Sequence, residues 1–346
     1  MTEMMHSETA PQAPNAPAGA LNEQVPTLSI DEASDLIGAV QREVNKAVIG
    51  QADVIEQILL ALVAAGHVLV EGVPGLGKTL LARSLAKAFD GQFSRIQFTP
   101  DLMPTDITGH VIYDLKREAF NLHKGPVFTH LLLADEINRA PAKTQAALLE
   151  VMQERQVSIE GRPLAVPTPF MAIATQNPIE QEGTYPLPEA QVDRFLLKIL
   201  IDYPSADEEV ALVNAVTDRS VGDVLDVSVV RSVISAAQVL ALQQTAATVR
   251  IDAAVTEYGV RIVRATREWS GIRFGAGPRG AIALVRAARA FALMNGRDFV
   301  VPDDLKTVAI PVLRHRVIVE PEMELEGHTP DDLLGVLLEH TDAPRT

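Results

Sequence analysis

The chain has 346 residues, about twice a typical domain, so one large or two unequal folded units are expected and a lone small binding module is excluded. Its 47% hydrophobic content is enough for a core, while 45 Asp and Glu against 30 Lys and Arg leave a net charge of -15, which is not the footprint of a duplex-DNA binder. A locally basic pore stays compatible with that total. No cysteine occurs, so disulfides, iron-sulfur clusters, thiolate zinc sites and a cysteine nucleophile are excluded, and a reducing, cytoplasmic setting is expected.

Residues 1–28 are rich in Ala, Pro, Gln and Asn, with prolines at 11, 14, 17 and 26, and read as a flexible arm. No Lys or Arg precedes Arg42, so the charged part of a secretory leader is missing. The longest apolar run, Ile58 to Ala65, falls well short of the roughly 20 residues a membrane span needs. Folded structure begins at Ser29, which with Glu32 makes a capping-box pair ahead of Ile30, Ala33, Leu36, Ile37, Val40 and Val44 at helical spacing.

Five apolar runs follow, at 67–71, 95–99, 131–135, 170–175 and 195–201. They are short, apolar on both faces and separated by helical or turn-rich stretches, which predicts a parallel sheet covered by helices. Two stretches break the rhythm. Residues 110–126 and 156–169 read as inserted hairpins, the second turning at Glu160-Gly161. After Pro204 amphipathic helical patterns dominate, over roughly 205–217, 228–245, 252–269, 278–294, 303–314 and 330–340. The expected division is a nucleotide unit over 29–203 and a helical unit over 204–346.

The sharpest chemical signal is Gly72-Val73-Pro74-Gly75-Leu76-Gly77-Lys78-Thr79, placed after an apolar run and opening the helical pattern from Leu80 to Phe89. Glycines that expose backbone N–H groups at the positive end of a helix make an anion cradle, in which the lysine reaches β and γ phosphates and the hydroxyl ligates magnesium. Such a pattern arises by chance in about one chain in a hundred of this length, so its strand-loop-helix setting counts. Leu131 to Glu136 supplies a second half, an apolar strand ending in two carboxylates. Asp135 is expected to hold magnesium and Glu136 to activate the attacking water, which assigns hydrolysis rather than transfer to another substrate. Asn177, after the next apolar run, is the candidate to position that water. Two arginines need an explanation: Arg194, just before the last apolar run, and Arg279, in a helical first turn where the macrodipole disfavours a cation unless a phosphate binds there.

Read in order, these residues resemble the AAA+ ATPases. Asp135-Glu136-Ile137-Asn138-Arg139-Ala140, then 145–152 (QAALLEVM) and 174–190 (ATQNPIEQEGTYPLPEA), resemble more narrowly the MoxR family, over about 29–316. The resemblance implies an α/β fold: a P-loop αβα parallel-sheet domain followed by an all-α lid, assembled as a ring of copies, usually hexameric. It implies ATP and Mg2+ as cofactors, von Willebrand factor A domain proteins as partners, and protein clients. The nucleotide would be held by Gly72, Pro74, Gly75, Leu76, Gly77, Lys78, Thr79 and Leu80 with Asp135. Val48, Ile49, Gly50 and Gln51 are similar to a segment lining the adenine pocket. Metal ligation would fall to Thr79 and Asp135, and catalysis to Lys78, Glu136, Asn177 and Arg194. In that family Arg194 corresponds to the finger reaching a neighbour's γ phosphate and Arg279 to the lid arginine, on its own or an adjacent nucleotide. Gly277 departs from the family's frequent Ser before that arginine.

Remodelling or maturation of protein complexes, with metal-cofactor insertion as one output, is therefore the leading reading. A nucleic-acid motor is the alternative, because helicase-like relatives share both hairpins, but Glu118 and Glu160 beside Lys116, Arg117, Lys124 and Arg162 disfavour a nucleic-acid partner. A magnesium-chelatase-like motor subunit is a third. The eight histidines form no H-E-x-x-H or clear ligand cluster, so no metal besides magnesium with ATP is expected.

Overall fold

The computed structural model describes residues 28–73, 75–178, 184–217 and 227–344. The expected arm up to residue 27, Pro74 of the phosphate loop and residues 179–183 of the family-like stretch lie outside them. Helix α1 (Ile30–Asn45) starts where the capping box requires: the Ser29 hydroxyl accepts from Glu32 N at 3.2 Å and the Glu32 carboxylate accepts from Ser29 N at 2.9 Å. α2 (Ala52–Val63) follows and buries Val54, Ile55 and every residue from Ile58 to Val63, as its apolar run demands.

The chain then alternates strand and helix: β1 (Val68–Gly72), α3 (Lys78–Ala88), β2 (Phe93–Gln97) and the short α4 (Pro104–Thr108). A hairpin of β3 (Gly109–Asp114) and β4 (Ala119–Lys124) precedes β5 (Leu131–Asp135) and α5 (Ala142–Glu154). A second hairpin, β6 (Gln156–Ile159) with β7 (Arg162–Ala165), precedes β8 (Met171–Gln176), the one-turn α6 (Glu189–Val192) and β9 (Leu197–Ile201). Both expected hairpins are present.

The five apolar runs form one parallel sheet in the order β2-β5-β8-β1-β9, with Val68 in register with Ile173 on one side and Leu197 on the other. Period-two alternation divides each strand between two cores. Val68, Val70, Leu131, Leu133, Met171 and Ile173 face α1, α2 and α3, whereas Leu69, Leu132, Ala134, Ala172 and Ala174 face α5 and the second hairpin. Because all five strands run the same way, their carboxyl ends share one edge, where an open α/β sheet binds ligands.

Beyond β9 lie α7 (Ala206–Thr217), α8 (Ala236–Thr248), α9 (Ala253–Ala265), β10 (Ile272–Phe274), α10 (Pro278–Met294), α11 (Pro302–Leu313), β11 (Ile318–Val319), α12 (Pro321–Leu325) and α13 (Pro330–His340). Two expected helices are shorter than their patterns. The one expected over 228–245 begins at Ala236, because Ser235 and Gln238 form a capping box and the segment before it is used differently: Val233 N donates to Ala88 O, and Val230 and Ile234 are buried. The one expected over 252–269 ends at Ala265, where the Thr266 hydroxyl turns back to Val263 O at 2.6 Å and accepts from Ala276 N at 2.9 Å. The lid also carries a two-stranded antiparallel ribbon, β10 with β11, too short to show as an apolar run. α10, central in the lid, packs on α1, α2, α8, α9 and α11, and one buried cluster runs from Ala33 through to Leu338.

Candidate nucleotide site

The sheet's carboxyl edge holds a cleft of about 420 Å³ lined by Gly75 to Thr79, Arg95, Gln97, Asp135, Glu136 and residues 175–177. β1 delivers the phosphate loop. Gly75 and Gly77 adopt φ of 89° and 72°, left-handed conformations that a side chain resists, and Gly77 caps α3 so that the first amides of that helix open into the cleft. A Cβ at either glycine would meet nothing within 4 Å, so these glycines answer a backbone need and leave space above the loop. Lys78 is half-buried and its ammonium donates to Gly72 O at 2.5 Å. Burial pushes its pKa down, opposed by the carboxylates of Asp135, Glu136 and Glu71.

β5 ends in Asp135, whose carboxylate is engaged on both oxygens: Thr175 Oγ1 donates to Oδ1 at 2.6 Å and Arg95 Nη2 to Oδ2 at 2.6 Å. Glu136 leaves the strand at φ 55°, ψ 51°, a left-handed turn unusual for glutamate. The same Thr175 hydroxyl accepts Glu136 N at 2.8 Å, and the Glu136 carboxylate takes bonds from Gln97 Nε2 (2.7 Å) and Arg139 Nη1 (3.1 Å). Thus one buried hydroxyl on β8 fixes both acidic residues at the end of β5. Asn177 is buried directly after β8 and lines the same cleft.

Val48 to Gln51 sit beside the end of β9. Gln51 Nε2 donates to Asp202 O at 3.3 Å, and a Cβ at Gly50 would come within 3.0 Å of Pro204. Ile201 pairs with Gly72, so this segment lies near the strand end from which the phosphate loop starts.

Arg194 and Arg279 lie elsewhere. Neither lines the cleft; both line a second concavity together, with Arg279 Nη1 at 3.5 Å from Asp193 Oδ2. Within one chain the structure therefore joins these two arginines to each other and not to Lys78 or Glu136. The segment bearing Arg194 is held by Arg316, just past α11. Its guanidinium donates to Asp193 Oδ1 (2.8 Å), Phe195 O (2.6 Å), Leu196 O (3.2 Å) and also Val312 O.

Sequence reasoning passed over Thr175, Arg95, Gln97, Arg316 and Gln145. Gln145 is fully buried, and its amide donates to Ile137 O (3.2 Å) and Tyr185 O (2.9 Å), tying the loop after β5 to the one after β8. A buried glutamine inside an apolar helix face was the available signal. Nothing in the local pattern marked Thr175, which reads as an ordinary β-branched strand residue.

Residues 67–197 match the ATPase family associated with various cellular activities (AAA), and residues 264–335 match the AAA lid domain. Chaperone MoxR1 of Mycobacterium tuberculosis is 46% identical over 88% of this chain and 81% of its own length. The chain belongs to the MoxR family of AAA+ ATPases. Protein MoxR of Methylorubrum extorquens is 34% identical over 90% of this chain and 96% of its own. A crystal structure of a Cytophaga hutchinsonii protein superposes with a TM-score of 0.84 at 42% identity, covering 91% of this chain and 97% of that one. Membership makes this MoxR-family chain an ATPase, and the family implies nucleotide binding. The residues present fit that role: glycine amides and Lys78 suit phosphates, and the hydroxyl of Thr79 with the Asp135 carboxylate is the hard-oxygen donor pair that magnesium prefers. No helix among the described residues is long and apolar enough to cross a membrane.

Proposed function

We propose that copies of this chain assemble into a ring, most simply a hexamer, that hydrolyses ATP at its seams and applies the resulting movement to protein clients as a chaperone. The observation that supports a seam is the separation, within one chain, of Arg194 and Arg279 from the cleft that holds Lys78, Asp135 and Glu136. Val48 to Gln51 would take the adenine, the amides from Gly72 to Leu80 the phosphates, and Lys78 the β and γ oxygens. A magnesium ion held by Thr79 and Asp135 would neutralise part of the triphosphate charge. Glu136 would accept a proton from water as its oxygen attacks the γ phosphorus and the bond to the bridging oxygen breaks, releasing ADP and phosphate; Asn177 would orient that water. Arg194 and Arg279 from the adjoining copy would stabilise the transition-state charge.

Protein rather than nucleic acid is the favoured client class. The first hairpin exposes Ile112, Tyr113, Leu115, Phe120 and Leu122 beside Lys116, Arg117 and Lys124, with Tyr113 and Phe120 paired edge to face at 5.1 Å, an apolar component that supports a protein client. We place the division between nucleotide unit and lid at Tyr203-Pro204, the setting in the cytoplasm, and von Willebrand factor A proteins and metal-cofactor maturation among the partners and outputs, on family resemblance.

The test is hydrolysis per copy as a function of protein concentration, with Arg194→Ala beside it. The expected result is activity that rises with assembly and a variant that binds ATP within about threefold of normal but hydrolyses it about 10³-fold more slowly. Full activity in a dilute monomer, or in the variant, would overturn the seam. Client capture by a Glu136→Gln ring with and without ATP tests the chaperone role, and DNA-stimulated hydrolysis with a steep salt dependence would restore the nucleic-acid reading.

A further inference from the structure

The second concavity, about 320 Å³, lies between the end of α5, residues 193–196 and the start of α10. Its described lining carries five arginines, at 155, 194, 279, 286 and 316, against the single carboxylate of Asp193, in a chain whose net charge is -15. Three of them have internal partners. Arg316 and Arg279 share Asp193, and Arg286 Nη2 donates to Ala64 O (2.6 Å) and Ala65 O (3.1 Å). The side chains of Arg155 and Arg194 have no hydrogen-bond or ion-pair partner among the described residues. Like charge gathered this densely in a hollow is unfavourable unless an anion enters it. The proposed seam accounts for Arg194 and Arg279, and it leaves Arg155 without a role.

We propose that Arg155 is a third arginine reaching from this pocket to the phosphates held by a second copy of the chain, and that it is a catalytic residue for hydrolysis there. The inference rests on the seam reading and adds a residue to it. Arg155 caps the carboxyl end of α5 at φ 54°, a left-handed position that favours glycine or asparagine. Arginine at such a place is conformationally disfavoured, and its exposed guanidinium has no hydrogen-bond or ion-pair partner among the described residues that offsets this. Its carbonyl accepts Val166 N at 3.1 Å and so closes the base of the β6–β7 hairpin. One residue would then touch the neighbour's phosphates and anchor the hairpin, so that loss of the γ phosphate is felt at the hairpin without an intervening lever.

The left-handed backbone supplies a test that separates catalysis from structure. Arg155→Gly removes the guanidinium and relieves the backbone, so thermal stability is expected to hold or rise and ATP affinity to stay within about threefold, while kcat falls about 10- to 100-fold, the rate equivalent of one charged hydrogen bond. Arg155→Lys should recover part of that loss. Mixing Arg155→Gly subunits with Glu136→Gln subunits creates seams in which an intact Arg155 faces an intact Glu136, so the mixture should hydrolyse faster than either variant alone. Arg194→Ala mixed with Glu136→Gln is run in parallel. Recovery there without recovery for Arg155→Gly, or an unchanged kcat in Arg155→Gly, overturns the assignment of Arg155 alone. No recovery with Arg194→Ala overturns the seam and this inference with it.

Discussion

Replacing Thr175 by valine should disable hydrolysis while leaving the packing of the sheet unchanged. The side chain is 1% exposed and valine has nearly its shape, so no cavity opens. What is lost is the hydroxyl that donates to Asp135 Oδ1 at 2.6 Å and accepts Glu136 N at 2.8 Å. The bond to the carboxylate is worth about 1.5–3 kcal/mol, and an amide left without a partner costs about 1–3 kcal/mol. Asp135 keeps Arg95 and retains some exposure, which places each cost near its lower end and the total at about 3 kcal/mol. Glu136 also loses the bond that holds its left-handed turn, and displacement of its carboxylate by about 1 Å is enough to slow hydrolysis about 10²-fold. The assays are thermal unfolding at fixed protein and nucleotide concentration, and ATPase rate at saturating ATP, with Thr175→Ser as the control that keeps the hydroxyl. A valine variant within about 0.5 kcal/mol of the parent in stability and within about twofold in rate would refute the role of this hydroxyl.

Glu136→Gln should retain ATP while losing hydrolysis by about 10³-fold, seen as nucleotide recovered intact from the isolated protein; rapid turnover would reassign the base. His67 is committed on both ring nitrogens, Nδ1 accepting from Ala172 N at 3.0 Å and Nε2 donating to Met152 O at 3.1 Å, and burial pushes its pKa from 6.5 down to about 4. Above pH 6.5 it is neutral whether folded or unfolded; below that the unfolded chain takes up a proton the native state refuses, so stability should fall by about 2 kcal/mol by pH 5. Burial lowers the pKa of His315 as well, which acts in the same direction. Unfolding measured from pH 7 to pH 5 should slope less steeply in His67→Gln, and an identical slope would show that another group titrates. Asp304, with a side chain 3% exposed, accepts from Arg297 on both oxygens (2.7 and 2.5 Å) and from Val301 N (2.8 Å) at the start of α11. Asp304→Ala should therefore cost about 3 kcal/mol, read as a lowered Tm, whereas an unchanged Tm would mean water replaces the carboxylate.

What the sequence settled by itself is what short-range chemistry and periodicity encode. Five two-faced apolar runs required a parallel sheet, because only strands covered on both sides are apolar throughout. The glycines marked a turn into the helix that opens at Lys78, and the Ser29-Glu32 pair required a helix start at that point. The tertiary structure alone decided which distant groups meet. Thr175 acquires its role because β8 pairs with β5 in a register that places its hydroxyl beside Asp135, and Arg316 acquires its own because the lid folds back onto residues 193–196. The first part of the helix expected from residue 228 gave way to a contact of the same kind, Val233 docking on Ala88. Arg194 and Arg155 look alike as single letters in a sequence. Their common pocket exists only after α5, the segment before β9 and α10 have packed, since the energy of a charge depends on the three-dimensional neighbours that folding brings to it.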